Sequence, residues 1–184
     1  MKKICNMKKG FTLIELLVVI AILAILATVI VVIINPGELL KQARDTSRIS
    51  DLAALNSAIA LYLSDVATPA IGTVANCTAS LSPVPDGWGS CTVVTSTAVS
   101  GAGWVPINFT TISSGSPLAR LPIDPVNSAT YAYAYKSVLA NLTYELDAKM
   151  ESTKYSSVTT GVMRNEADGG DDVNYYEIGN KLDF

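Results

Sequence analysis

A single carboxylate, Glu15, lies at the beginning of a long apolar run, in the stretch KKGFTLIELL of residues 8–17. An ionised carboxylate is costly inside a membrane, and less so near the end of a helix. A buried charge is tolerated where an opposite charge pairs with it. In the first turn of a helix, negative charge also complements the helix dipole. The chemistry that Glu15 could perform is therefore electrostatic pairing.

The run that follows Glu15 is long enough to cross a membrane. Leu16 to Ile34 contains no charged residue, and only Thr28 is weakly polar. As a helix these residues would be roughly 28 Å long, close to the ~30 Å of a bilayer hydrocarbon core. A buried core helix is the alternative. Four lysines lie upstream, which predicts a cytoplasmic N-terminus: Lys2, Lys3, Lys8 and Lys9.

Two common N-terminal signals fit this segment poorly. A secretory signal peptide is cleaved after its apolar core, next to small residues, but here the run leads into Asn35, Pro36 and Gly37. A lipoprotein anchor would need a cysteine after the run, and Cys5 comes before it. The small residue suited to processing is Gly10, between the lysines and Phe11.

The segment from Lys8 to Glu15, followed by the apolar helix, resembles the class III signal of type IV prepilins and type II secretion pseudopilins. The resemblance implies that a membrane aspartyl prepilin peptidase cleaves between Gly10 and Phe11. The new Phe11 amine would then be methylated. It also implies that Glu15 pairs with the Phe11 amine of a neighbouring subunit during assembly. The alternative is that Glu15 is an interfacial anchor residue of a single-pass protein.

Composition limits the function further. The leader holds four of the 13 basic residues, which leaves nine against 16 acidic residues, a net charge of −7 in the mature chain. Such a charge disfavours nucleic-acid binding through phosphate neutralisation, so no direct nucleic-acid partner is expected. The chain has no histidine, which removes the commonest general base and metal ligand. We therefore expect a protein without enzymatic activity.

Two cysteines remain in the mature chain, Cys77 and Cys91. The segment that holds them should lie outside the cytoplasm, where an even number of cysteines favours a disulfide. Two free buried thiols are the alternative.

The residues after the apolar run predict an α+β fold, in which a long N-terminal helix packs on a small antiparallel sheet. Pro36 would either kink the helix or begin a new one with Asn35 as its N-cap. Leu52, Leu55, Ile59 and Leu63 then form an apolar helical face. Charged residues are expected on the other faces: Lys41, Arg44, Asp45, Arg48 and Asp51.

The expected organisation is a leader over residues 1–10, a membrane or fibre-core helix over 11–35 and an extracytoplasmic globular domain over 36–184. Within the domain we expect a helix over 36–65, a variable loop with irregular strands over 66–119 and a sheet region over 120–184. In the sheet region, tyrosines alternate with alanines over residues 131–135. Residues 142–149 alternate apolar with polar, as in a half-buried strand. Val173 to Ile178 would form the last strand.

An acidic turn near the C-terminus is the candidate metal site, with Asp168, Asp171 and Asp172 around two glycines. Carboxylate oxygens are the ligands that calcium prefers. Leu121 to Pro125 is also similar to a segment of major pseudopilins, proteins whose C-terminal loop holds calcium. Structural calcium is thus the one candidate cofactor, and none is required. A solvated acidic turn is the alternative.

These features lead to the hypothesis of a structural subunit of a type IV pilus-like extracellular filament. Its partners would be the membrane, the prepilin peptidase and copies of itself, with an inner-membrane assembly platform and an ATPase motor acting indirectly. Before assembly it would cross the cytoplasmic (inner) membrane once. The alternatives are a type II secretion pseudopilin and, from another class, a membrane-anchored binding ectodomain.

Overall fold

The apolar run and the residues after it form two successive helices in a computed structural model that describes residues 10–156, 169–170 and 172–184. The chain divides into two compact units, Met1–Leu39 and Leu40–Phe184. In the first unit, helix α1 spans Leu13–Ile34. Its one hydroxyl among apolar residues, on Thr28, donates to the Ile25 carbonyl at 2.8 Å. The hydroxyl hydrogen is thus satisfied within the helix, where lipid tails could not accept it.

Asn35 separates α1 from helix α2, which spans Pro36–Asp65. Asn35 has a φ of 45°, in the left-handed region, which asparagine tolerates better than most residues. Its backbone carbonyl accepts from the Glu38 N–H at 3.0 Å. Of the two alternatives for Pro36, the structure has the new helix start. Proline fits the first helical position because an N–H there would have no partner within the helix.

The apolar face of α2 packs into the core of the second unit. Leu52, Leu55, Ile59 and Tyr62 are buried there, with Leu63 partly buried at the edge. The helix ends at Asp65, whose carboxylate accepts from the Ser113 N–H and hydroxyl, both at 2.7 Å.

The sheet has five strands in the order β2-β1-β3-β4-β5. They are β1 Val74–Cys77, β2 Thr92–Val93, β3 Tyr133–Val138, β4 Thr143–Ala148 and β5 Tyr176–Gly179. A short helix α3, Thr153–Ser156, follows β4. The β1–β3, β3–β4 and β4–β5 pairs are antiparallel, whereas β1 and β2 are parallel. The sheet is therefore mixed, and the antiparallel arrangement expected from the sequence holds for three of its four pairs.

Strands β1 and β2 lie within residues 66–119, which were expected to form a variable loop with irregular strands. They have four and two residues, too few for an alternating pattern to be visible in the sequence. Both join the main sheet, so this region is an integral part of the fold.

One face of the sheet packs against the core that includes α2. Tyr133 and Tyr135 of β3 point into it, as do Tyr144 and Leu146 of β4. The Tyr133 hydroxyl donates to the Asp51 carboxylate at 2.7 Å, and the Tyr135 hydroxyl donates to the Ile71 carbonyl at 3.0 Å. These bonds satisfy the polar ends of large buried rings.

The opposite face of the sheet is also covered. A second apolar cluster contains Cys77 and Ala134 from the strands, with Leu81, Trp88 and Tyr175 from the loops. As a result five of the six residues of β4 are buried, and the half-buried strand expected there is wrong. Polar and apolar residues do alternate along β4, but loops from distant parts of the chain cover its polar face.

The predicted disulfide between Cys77 and Cys91 is confirmed, with Cα atoms 5.7 Å apart, within the ordinary range for such bonds. It joins the end of β1 to the residue before β2. The bond thus closes the loop that covers the second face of the sheet.

Reduction of this disulfide is expected to destabilise the second unit by about 3 kcal/mol, the loop-entropy value for a closed loop of roughly 15 residues. A Cys77→Ala/Cys91→Ala variant should show the same loss in denaturant unfolding. In a Cys5→Ser background, alkylation of exported protein should label no thiol before reduction and two after it. Labelling of both thiols without reductant would contradict the prediction.

Candidate assembly site

The N-terminal turn of α1 is closed by a reciprocal pair of bonds between Thr12 and Glu15. The Thr12 N–H and hydroxyl donate to Glu15 Oε2 at 2.8 and 2.7 Å, and the Glu15 N–H donates to the Thr12 hydroxyl at 3.3 Å. This is a capping box, in which the two residues satisfy backbone donors that a helix start leaves open. The Thr-x-x-Glu spacing was visible in the sequence, although we did not predict the box from it.

The capping box places the Glu15 carboxylate beside Thr12, next to Phe11, the predicted first residue of the mature chain. Thr12, the residue after Phe11, binds Oε2 directly. A carboxylate has about four acceptor positions, and the box uses two of them. Glu15 can therefore hold its own helix end and still accept a bond from a cation of another molecule.

The bond between Gly10 and Phe11 lies in an open part of the structure. A Cβ added to Gly10 would have no other heavy atom within 4 Å, and the Phe11 side chain is 88% exposed. Among the described residues, nothing packed around this peptide bond would hinder an approaching peptidase.

The surface of α1 next to Glu15 is apolar and uncovered. Leu13–Ile30 is long and apolar enough to cross a membrane, and none of it is buried within the described chain. Such a continuous apolar surface is not stable in water. Lipid or another apolar surface would have to cover it.

In the second unit, a buried arginine holds three carboxylates together. Arg48 binds Asp124 through two nitrogens, at 2.5 and 3.0 Å, and binds Asp45 at 2.7 Å and Glu151 at 2.6 Å. The side chains of Arg48, Asp45 and Asp124 are fully buried. Burial alone would lower the pKa of Arg48, but its bonds to Asp124, Glu151 and Asp45 raise that pKa above its ordinary value.

This network corrects the expectation that Asp45 and Arg48 decorate exposed faces of α2. Both are buried, because the segment around Asp124 and the segment after β4 pack over that part of the helix. Asp124 also accepts the N–H groups of Val126 and Asn127 at 2.8 and 3.1 Å. The turn that begins at Asp124 is thus anchored to α2 by its aspartate.

The predicted calcium ligands fall only in part on described residues. Asp168 and Asp171 lie outside them. Asp172 is buried, and its carboxylate accepts the Asp86 N–H at 2.9 Å and the Asn174 N–H at 2.8 Å. These bonds organise the turn before β5, and the calcium site proposed for the acidic turn stays a prediction.

A different acidic group comes together on β4 and β5. One carboxylate oxygen from each of Glu145, Asp147 and Glu177 lies within 4.8 Å of the others, and all three residues are buried. Burial, and then the charges of Glu145 and Glu177, raise the pKa of Asp147 well above its ordinary value. Sequence reasoning missed this group because it placed the polar side of β4 in solvent.

Comparison with known proteins supports the N-terminal site. Residues 5–31 match the family model described as the prokaryotic N-terminal methylation motif. No curated protein matches the chain, and no solved structure does. The motif covers two of the four leader lysines, Lys8 and Lys9, together with Gly10, Phe11, Glu15 and most of α1. Together with the apolar helix it fits a membrane-anchored precursor, and it implies processing by prepilin peptidase and assembly into filaments.

The chain therefore carries the processing signal of type IV pilin and pseudopilin precursors at residues 5–31, followed by a pilin-like α+β architecture.

Proposed function

We propose that this protein is a structural subunit of a type IV pilus-like extracellular filament. It is stored in the cytoplasmic membrane with its N-terminus inside, cleaved after Gly10, methylated at Phe11 and then polymerised through α1. The observation that carries this proposal is the uncovered apolar helix that follows a processing signal and carries one carboxylate in its first turn.

One apolar surface serves both states of such a subunit. Lipid surrounds α1 in the membrane, and copies of α1 surround it in the filament. Because lipid tails are as apolar as leucine, moving between these environments loses little hydrophobic stabilisation. Close packing and polar contacts between helices then decide whether the filament forms.

Glu15 supplies the polar contact. After cleavage, the Phe11 amine of an incoming subunit is a cation that must leave the membrane surface for a protein interior. Pairing with Glu15 of a neighbour compensates that charge and sets the axial position of the new subunit. The capping box directs the carboxylate toward the helix start, where the amine arrives.

The partners of the subunit are accordingly copies of itself, the prepilin peptidase and the membrane. The assembly platform and its ATPase motor are separate proteins that act on it indirectly. The second unit has no histidine with which to build a catalytic triad, and we assign it no enzymatic activity.

A type II secretion pseudopilin is the second candidate. It is favoured by the Leu121–Pro125 segment, which is similar to a segment of major pseudopilins, and by the acidic turn near the C-terminus. Within the Leu121–Pro125 segment, Asp124 binds Arg48. A pseudopilin would form short fibres that stay within the cell envelope. Electron microscopy of sheared surface material distinguishes the two, since only a pilin yields long filaments.

Processing tests the proposal directly. Mass spectrometry of assembled material should find an N-terminal Phe11 that carries a methyl group. Gly10→Val should leave the precursor uncleaved in the membrane and abolish filaments. No atom within the described chain obstructs the new side chain at its Cβ, so this loss would reflect recognition by the peptidase.

Gly37→Ala is the matched control, because its Cβ would meet only the Asn35 side chain at an ordinary 3.6 Å. This variant should be processed and assembled normally. Filaments whose subunits still begin at Met1 or Lys2 would overturn the proposed function.

A further inference from the structure

Three acidic side chains converge on the covered face of the sheet in the second unit. Asp147 of β4 lies directly opposite Glu177 of β5 in the strand register, and Glu145 is two residues away on the same face of β4. Like charges directly opposite each other destabilise a sheet. Here both members of the pair are buried, where the repulsion between them is screened less than at a surface.

Among the described residues, Asp147 has no hydrogen-bond donor beside its carboxylate. It is fully buried, and neither carboxylate oxygen has a hydrogen-bond partner among the described residues. Its register neighbour on β3 is Ala134, which offers no side-chain donor. A buried carboxylate left in this state costs far more than a paired one.

The nearest strand position with a cation is Lys136, opposite Glu145. Its ammonium donates to the Gly87 carbonyl at 3.2 Å and lies 5.6 and 5.2 Å from the ring centres of Trp88 and Phe184. These contacts hold the Lys136 ammonium against the loop before β2 and the C-terminal residue. It forms no hydrogen bond with Asp147.

The backbone before β5 passes close to the carboxylate of Glu177. The Asp172 N–H donates to Glu177 Oε2 at 3.1 Å. A Cβ on Gly170 would overlap the Glu177 side chain, so glycine lets the backbone pass close to this carboxylate. Glu177 is thus held in place beside Asp147.

We propose that Glu145, Asp147 and Glu177 form a buried binding site for a divalent cation, and that calcium is the ion that fits it. Calcium binds oxygen at about 2.3–2.6 Å, so oxygens on opposite sides of the ion lie about 5 Å apart. The three carboxylate oxygens lie within 4.8 Å of one another, close enough for one ion to bind all three. The ion turns three mutually repelling carboxylates into a link between β4 and β5.

Magnesium fits less well. It requires near-ideal octahedral geometry at about 2.0–2.1 Å and usually keeps several waters, whereas calcium accepts irregular geometry and carboxylates that bind through both oxygens. The proposed site contains neither Asp168 nor Asp171, and it does not depend on filament formation.

The test uses the full-length chain in detergent micelles, with calcium or a chelator in the buffer. At a hundredfold excess over the dissociation constant, calcium should raise the melting temperature by about 5–10 °C. Terbium, a luminescent calcium substitute, should show emission excited through tyrosine, since Tyr175 is buried in the cluster on the same face. Asp147→Asn should remove the thermal shift and weaken terbium binding by more than about tenfold.

Two controls separate this site from other acidic groups. An Asp168→Asn/Asp171→Asn variant should keep the full response, and Asp183→Asn, which changes an exposed carboxylate, should do the same. If Asp147→Asn does not fold, Glu177→Gln takes its place, and its thermal shift with calcium and its terbium binding are measured instead.

The proposal is overturned if wild-type protein melts at the same temperature in calcium and chelator. It is also overturned if Asp147→Asn responds like wild type, or if only the Asp168→Asn/Asp171→Asn variant loses the response. The last outcome would place the ion in the acidic turn instead.

Discussion

Glu15→Val should lower filament yield by more than about tenfold while the protein remains in the membrane. The substitution removes the one charge from the apolar stretch, which makes insertion easier. It also leaves the Phe11 amine of each neighbouring subunit without an anion inside the filament, and an unpaired buried charge is strongly destabilising. Assembly and insertion should therefore respond in opposite directions, measured as sheared filament and as membrane-bound protein.

Three variants identify which property of Glu15 is responsible. Glu15→Gln keeps the size and hydrogen-bonding capacity of the side chain but not its charge, and should fail like Glu15→Val. Thr12→Val removes the hydroxyl that participates in two bonds of the capping box but keeps the carboxylate, so its effect should be smaller. Glu38→Gln removes a carboxylate from the first turn of α2 and should assemble normally. Wild-type filament yield from Glu15→Val would contradict the pairing role.

Arg48→Ala should destabilise the second unit by about 3–5 kcal/mol, the cost of breaking a buried ion pair by removing one partner. Asp45 and Asp124 are fully buried and would lose the cation that compensates them. For a unit of this size the melting temperature should fall by roughly 10 °C or more. Thermal unfolding of the full chain in detergent, followed by near-ultraviolet circular dichroism, measures this loss.

Two further variants separate the charge of Arg48 from its hydrogen-bonding geometry. Arg48→Lys keeps the charge but cannot bind Asp124 through two parallel bonds, so we expect an intermediate loss. Arg44 binds Glu151 from a side chain that is 34% exposed, and Arg44→Ala should cost much less than Arg48→Ala. An Arg48→Ala midpoint equal to that of wild type would show that the network contributes no stability.

The same network should make the free energy of unfolding of the second unit depend on pH. Hydrogen bonds from Arg44, and then from Arg48, lower the pKa of Glu151 below its ordinary value, against the opposing effect of burial. Its contribution is therefore complete above the pKa of the unfolded chain. That contribution is lost as the pH falls through the lower pKa of the folded state.

Local sequence was sufficient wherever the relevant residues are neighbours along the chain. The processing signal lies within eight residues, from Lys8 to Glu15, and the membrane-length helix follows it without interruption. At Pro36 the sequence left two alternatives open, a kink or a new helix start with Asn35 as its N-cap, and the structure has the second. The β3–β4 hairpin was readable from alternation over adjacent residues.

The tertiary structure decided the environment of the charged residues. Arg48 looked like one of several surface charges on α2, because its partners Asp124 and Glu151 are 76 and 103 residues away. Glu145 and Asp147 looked solvent-facing for the same reason: an alternating strand specifies two faces but not what covers the polar one. The covering loops and Glu177 reach that face only through long-range packing. Burial of a polar side chain depends on residues far away in the sequence, and periodicity along one strand or helix contains no information about them.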